Sequence, residues 1–300
     1  MEESACFASH DVKLTYRENY WDSPRLKRRF IRYLVQVFGL DLSLWDKRGY
    51  WDPGYRPFSY FDGSELVANV CVYSMDMTVR GKKCRVAQLS AVGTLEEYRR
   101  KGLGTDLMAR ALDWAQNNHE FSYLFADKNA YGLYRECGFS PTAEYKPCLA
   151  VGGGAARADI VHLDVERKDH LELIYHLASA RIPVSDLLGV SNERLLMFWC
   201  LYALRNFVYY VPKLDVLVLY KREGDRVTIY DIVGTSVPPF SEIYPYICDE
   251  QAETVDFLFM VDKLNLTDYD LVRTDDNGTH VRGAFPLGNT KFIFPITSQA

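Results

Sequence analysis

Between residues 84 and 112 the hydrophobic period changes once, from strand to helix, across a basic glycine turn. Val86, Leu89, Ala91 and Val92 form an apolar β-type run, whereas Leu103, Leu107, Met108, Ala111 and Leu112 recur at helical spacing. The chain reads here as strand, turn and helix without a break. The first four N–H groups of such a helix have no partner inside it, and its macrodipole places partial positive charge at the same end. Arg99, Arg100 and Lys101 add full charges beside it. Gly102 and Gly104 remove the Cβ atoms that would hold a phosphate away from the amides. The spacing therefore predicts an anion site.

With those residues in view, Arg99-Arg100-Lys101-Gly102-Leu103-Gly104 fits the Q/R-x-x-G-x-G/A signature of the GCN5-related N-acetyltransferase (GNAT) superfamily. After an apolar run at 121–126, the segment Asn129-Ala130-Tyr131-Gly132-Leu133-Tyr134-Arg135-Glu136-Cys137-Gly138-Phe139 resembles the same family's A-x-x-x-Y-x-x-x-G-F helix. The resemblance implies a GNAT fold of the α/β (α+β) class, a mixed and mostly antiparallel sheet flanked by helices. It implies that the amides of residues 100–105, hence Arg100, Lys101, Gly102, Leu103, Gly104 and Thr105 with Arg99 beside them, hold the pyrophosphate of acetyl-CoA as co-substrate. Val92 and Thr94 are then expected to pair with the pantetheine arm and polarise the thioester carbonyl. Tyr134 is the expected catalytic residue, its phenol protonating or orienting the departing thiolate. Asp127 stands where the family commonly has Asn, and Asn129, two residues on, is carried as the candidate cofactor contact.

In GNAT-like folds the segment between the first two strands lines the acceptor pocket, which makes Trp45, Trp51, Asp52 and Tyr55 the candidate substrate residues. The implied reaction is acetyl transfer to the primary amine of a small molecule. Acetylation of an aminoglycoside or a protein amine, and acyl-CoA binding without catalysis, are the alternatives. An alkyl amine with a pKa near ~10.4 must lose its proton first, at roughly 4.6 kcal/mol at pH 7. The sequence singles out no base for that step.

Three hundred residues are enough for two domains with their own cores. Hydrophobic residues at 48% and charged residues at 25% describe a globular protein. No apolar run approaches the roughly 20 residues of a membrane span, and the start MEESACFASH lacks a signal-peptide pattern, so the expectation is a cytoplasmic protein without a membrane partner. Seven cysteines without a C-x-x-C pair read as reduced thiols, and six histidines without ligand spacing imply no metal. A net charge of −5 argues against nucleic acid.

Along the chain, a strand is expected at 11–20 and a helix from Pro24 to Gly39, its apolar face set by Leu26, Phe30, Ile31, Leu34, Val37 and Phe38. Strands are expected at 65–79 and, past the turn at 80–83, before the glycine turn. Strands near 143–151 and 159–165, joined by a hairpin through Gly152-Gly153-Gly154, are expected to close the first sheet. That divides the chain into a catalytic domain, 1–166, and a second domain, 167–300. The second part reads as an eroded copy of the same plan: helices at 169–180 and 192–204, a hairpin at 214–233, a helix at 240–247, then strands at 254–260, 270–273, 280–285 and 291–295. Its turn, Gly234-Thr235-Ser236-Val237-Pro238-Pro239, has two prolines and no cation, a poor phosphate site. This degenerate GNAT-like half is expected to wall the acceptor pocket or to mediate a homodimer. Aminoglycoside acetyltransferases of the enhanced-intracellular-survival type also join two GNAT-like domains but add a lipid-carrier-like third; this shorter chain resembles two-domain forms.

Overall fold

The computed structural model describes residues 3–6, 13–154, 159–275 and 278–300. Its first half runs β1 (Glu3–Cys6), β2 (Lys13–Glu18), α1 (Pro24–Phe38), α2 (Ser43–Lys47), β3 (Tyr55–Asp62), β4 (Glu65–Val79), β5 (Lys82–Thr94), α3 (Leu103–Gln116), β6 (Phe121–Phe125), α4 (Tyr131–Glu136) and β7 (Ser140–Pro141). The Ser23 hydroxyl accepts from the Leu26 amide and Pro24 fixes the first turn of α1, while Gly39, at φ +67°, ends it. The helix buries Phe30, Ile31, Tyr33 and Leu34. Arg80 and Gly81 both adopt positive φ, which gives the β4–β5 hairpin a turn that matches strand twist.

The second half follows as β8 (Tyr145–Ala150), β9 (Val161–His162), α5 (Lys168–Ala180), β10 (Leu188–Val190), α6 (Glu193–Leu201), β11 (Val208–Val211), β12 (Val216–Glu223), β13 (Arg226–Gly234), α7 (Phe240–Ile247), β14 (Thr254–Phe257), β15 (Asp270–Arg273) and β16 (Thr279–Gly283). The first sheet has the order β1-β2-β3-β4-β5-β6-β16-β7, with β10 also on β4; the second has the order β15-β8-β14-β13-β12-β11-β9. Each is antiparallel except at one pair, β5/β6 in the first and β13/β14 in the second. Both exceptions have one cause: a helix, α3 or α7, carries the chain across the sheet between them. The halves thus repeat one plan of two helices, a three-strand meander, a crossover helix and a parallel strand.

The sheets exchange their closing strands, which corrects the sequence reading. The strand expected near 143–151 forms as β8 but lies in the second sheet, between β14 and β15. β9 pairs with β11, so the hairpin expected through Gly152-Gly153-Gly154 does not form; Ala155 and Ala156 lie outside the described residues. Divided by sheets, the chain parts before β8, ahead of the division read at 166/167, with β10 and β16 returning to the first sheet. Conversely β16 returns to the first sheet between β6 and β7. Glu144, just before β8, fixes this crossing: its buried carboxylate accepts from Thr279 Oγ1 at 2.7 Å and from the Phe294 amide at 2.7 Å. That side-chain bond holds the backbone at 291–295 outside either sheet, where a strand was expected. Phe294 stacks on Tyr123 of β6 with centroids 4.4 Å apart, and one core runs from the first sheet through α5 and α6 to Phe292 and Phe294.

Candidate active site

β5 and β6 are paired only from Val86–Phe121 to Gln88–Tyr123, and beyond that point they part. On its other side β5 carries a bulge. Asn69 of β4 faces Gly93 and Cys71 faces Ser90, so Ala91 and Val92 together stand opposite Val70. Ala91 takes φ +48°, a left-handed conformation uncommon for alanine. A cleft of about 380 Å³ opens where the strands part, and Gln88, Ala91, Val92, Asp127, Tyr134 and Tyr55 are among its walls.

β5 ends at Thr94, whose Oγ1 lies beside Gly104 at the start of α3. The first intrahelical bond runs from the Asp106 amide to the Gly102 carbonyl, and no side chain caps the helix. The amides of residues 103–105 consequently lack helical partners. Gly102 has φ +79°, and a Cβ built on it would meet nothing within 4 Å; one on Gly104 would meet only Thr94 Oγ1, at 3.7 Å. Space and donors coincide, as a phosphate requires. Arg99 Nε donates to the Thr94 carbonyl at 3.1 Å, and Lys101 Nζ sits 4.9 Å above the Tyr98 ring. Leu103 is buried, so only its amide faces the turn, whereas Thr105 is exposed. Asp106 would oppose an anion here, but it bonds Tyr60 and Arg110.

Tyr134 of α4 lines the cleft. Burial, with smaller contributions from Cys137 and Asp127, pushes its phenol up to about 12, so it stays protonated at any physiological pH. Asn129 is exposed and gives its amide to Asp127 Oδ1 at 2.9 Å. Asp127 and Ala130, and not Asn129, line the cleft.

The four candidate acceptor residues separate into two groups. Tyr55 lines both the cleft and an adjoining apolar recess, which Trp45 shares with Leu42, Tyr73, Leu195 and Phe198. Trp45 is held there by its indole N–H on the Arg194 carbonyl, at 2.9 Å. Trp51 instead packs between Trp21 and Trp45, with Lys27 Nζ 4.1 Å above its ring. Asp52 accepts from the Gly54 amide at 2.7 Å and from the Tyr73 hydroxyl at 2.6 Å, with Asn192 Nδ2 at 3.1 Å. It faces a different hollow, of about 650 Å³, between the halves.

Sequence reasoning missed the groups that close the cleft. Tyr123 donates to the Ser298 carbonyl at 3.1 Å and Trp199 Nε1 to the Gln299 carbonyl at 2.9 Å. Gln88 binds the Ala300 carbonyl and amide at 3.2 and 3.0 Å. Upstream, Thr297 Oγ1 donates to Asp231 at 2.5 Å, and Asp231 receives a two-pronged bond from Arg181 at 3.0 and 2.8 Å. No local pattern marks these pairs, whose members are up to 212 positions apart. In the second sheet the equivalent opening is filled: Leu258 bonds Ile229 and Ile296 bonds Leu258. A Cβ on Gly234, the counterpart of the glycine turn, would lie 2.8 Å from Val216 Cγ1, so that turn is packed shut.

Among the described residues no group of three or more His, Cys, Asp or Glu side chains is placed to hold a metal ion, and no helix is long and apolar enough to cross a membrane. Residues 27–142 match the family model described as an acetyltransferase (GNAT) domain. Comparison with curated proteins gives no match. Among solved structures, a probable N-acyltransferase from Enterococcus faecalis superposes with TM-score 0.57 at 13% identity, over 90% of this chain and 72% of that one. Eis1 from Mycobacterium abscessus gives 0.55 at 18% identity, over 89% and 73%. A GCN5-related N-acetyltransferase from Kribbella flavida gives 0.50 at 18% identity, over 89% and 71%. At these identities the likeness is one of fold.

Proposed function

We propose, from the premise that residues 27–142 form a GNAT acetyltransferase domain, that the chain transfers an acetyl group from acetyl-CoA to a primary amine of a small molecule. One observation carries the reading: the bulged strand β5 and a buried phenol line a single cleft, and the same strand ends at Thr94 beside the uncapped start of α3. The residues present fit acetyl-CoA, because the space over Gly102 admits a phosphate and the amides of 103–105 have no other claimant within the helix. Bound there, it would supply the activated acetyl group.

The protein's own contribution is positioning and polarisation. The amides at the start of α3, with Arg100 and Lys101, anchor the pyrophosphate, and the bulge at Ala91 and Val92 faces the thioester. Tyr134 brings a proton to the leaving sulfur. A phenol near 12 is about 3.5 units weaker than a thiol near ~8.5, so full transfer would be uphill by roughly 5 kcal/mol. Tyr134 therefore acts chiefly by a hydrogen bond to the developing thiolate. The acceptor enters past Tyr55 and Trp45, and the second half serves this site by closing its far end with residues 298–300. Trp51 and Asp52 belong to the packing of the loop.

The test is CoA release from acetyl-CoA against pooled amino acids, polyamines, aminoglycosides and short peptides. Release with a small-molecule pool is the expected result. Binding of acetyl-CoA without release in any pool refutes the catalytic reading, and release with peptides alone refutes the small-molecule acceptor.

A further inference from the structure

Asn69 lies in the middle of β4, fully buried, and its side chain is consumed by a bond across the sheet. Its Nδ2 donates to the Ala91 carbonyl at 2.9 Å, and its Oδ1 accepts from Ser59 Oγ on β3 at 2.7 Å. Ser59 thereby spends its proton on Asn69, so the Tyr20 hydroxyl, 2.8 Å away, must donate to Ser59. The chain Tyr20, Ser59, Asn69, Ala91 runs donor to acceptor throughout, which fixes the Asn69 amide in one of its two orientations.

This matters because of where the bond ends. Ala91 is the bulged residue at φ +48°, and its left-handed backbone needs support that the interrupted ladder no longer gives. Across a planar trans peptide the carbonyl of one residue and the N–H of the next point in opposite directions. Asn69 holds the Ala91 carbonyl toward β4, so the Val92 N–H is turned to the other edge of β5. That edge is the gap, beyond Gln88, where β6 has left.

We infer that Asn69 is a positioning residue for acyl transfer: by tethering the Ala91 carbonyl to β4 it aims the Val92 N–H into the cleft as donor to the thioester carbonyl. This rests on the acyl-transfer reading above. A donor aimed beforehand at a developing oxyanion is worth ~10²–10³ in rate, and much of that is lost when its direction is released. Asn69→Asp has the same shape and still accepts from Ser59, but it sets one oxygen against another at Ala91. Ser59→Ala frees the Asn69 amide to turn and makes no new charge.

The experiment follows the carbonyl band of [1-13C]acetyl-CoA by infrared difference spectroscopy on the full chain, with kcat, KM and the Kd of unacetylated CoA measured alongside. In the native protein the bound carbonyl absorbs at lower wavenumber than free acetyl-CoA. Asn69→Asp returns the band most of the way to the free value and lowers kcat ~10- to 100-fold, while CoA affinity stays within about twofold. Ser59→Ala gives a partial return and a smaller fall. If either folded variant keeps the native band and rate, or loses CoA binding in proportion to rate, Asn69 does not position the donor. Failure of the native protein to bind acetyl-CoA overturns the acyl-transfer reading and this one with it. Binding with no amine turnover overturns only the former, and the band still decides the latter.

Discussion

Replacing Gly102 by alanine separates two effects that glycine turns usually confound, because the chain contains its own control. Gly102 at φ +79° and Gly224 at φ +61° both lie in the left-handed region, and a Cβ at either meets nothing within 4 Å. Neither substitution creates a clash, so each carries only the backbone term, roughly 1–2 kcal/mol for an L-residue held there. For a chain of this size ~1 kcal/mol moves the melting temperature by about 2–4 °C. Gly102→Ala and Gly224→Ala are therefore expected to lower it by similar amounts. They differ in ligand binding. At Gly102 the methyl enters the open space beside the helix start where the proposed phosphate would sit, and displacement of one charge-assisted bond to a phosphate oxygen costs ~1.5–3 kcal/mol, about 10- to 100-fold in Kd. Gly224, in the turn between β12 and β13, has no part in the cleft. Calorimetric titration with acetyl-CoA and scanning calorimetry on both variants decide the matter. Equal affinity in Gly102→Ala and native protein, or an equal loss in Gly224→Ala, refutes the assignment of the phosphate seat.

Tyr134→Phe is expected to lower turnover tenfold or more with little change in acetyl-CoA affinity; unaltered steady-state turnover removes the phenol from the reaction. Asp231→Asn leaves Arg181 buried without its counter-charge and loosens Thr297, for a loss of roughly 3–5 kcal/mol. Chemical denaturation reads that loss, and a raised KM for the amine, with CoA affinity retained, reads the loosened wall. Burial pushes the Cys71 thiol and the Tyr134 phenol each up to about 12. Both hold protons longer in the folded than in the unfolded chain, so the stability they confer is intact below pH 9 and falls as pH rises from there toward 12. Denaturant midpoints at pH 8 and pH 10.5 should show the decline, and Tyr134→Phe should lessen its slope above pH 10; a flat profile contradicts the buried, neutral groups.

What the sequence reveals and conceals divides by distance along the chain. The strand at 65–79 and the helix at 240–247 form with the bounds that period and turn residues predict, because both signals are local. The glycine turn is legible for the same reason: charge, helix start and missing Cβ atoms fall within six residues. Trp51 and Asp52 look like pocket residues by type, yet their partners are Trp21, Lys27, Tyr73 and Asn192, and only the tertiary fold shows that neither lines the cleft beside Tyr134 and that Asp52 borders a separate hollow. Asn69 is an unremarked polar residue in an apolar strand until β5 is laid beside it. The exchange of β8 and β16 is hidden more deeply, since either sheet offers an antiparallel edge and no strand's own pattern names its partner.

One segment accounts for the unequal fate of the two halves. Both sheets open at the same place in the plan, after Gln88 in the first and after Ile229 in the second. Residues 296–300 visit both openings in order. Ile296 bonds Leu258 and Thr297 bonds Asp231, which fills the second; Ala300 then bonds Gln88 at the mouth of the first, leaving the cleft beside Tyr134. With Gly234 also packed against Val216, the second opening is filled where the first has its cleft. A mutation that empties the second opening should therefore weaken the wall of the first without creating a second acetyl-CoA site. Asp231→Asn provides the measurement: a titration with more than one equivalent of acetyl-CoA bound per chain would show that occlusion alone keeps acetyl-CoA from the second half.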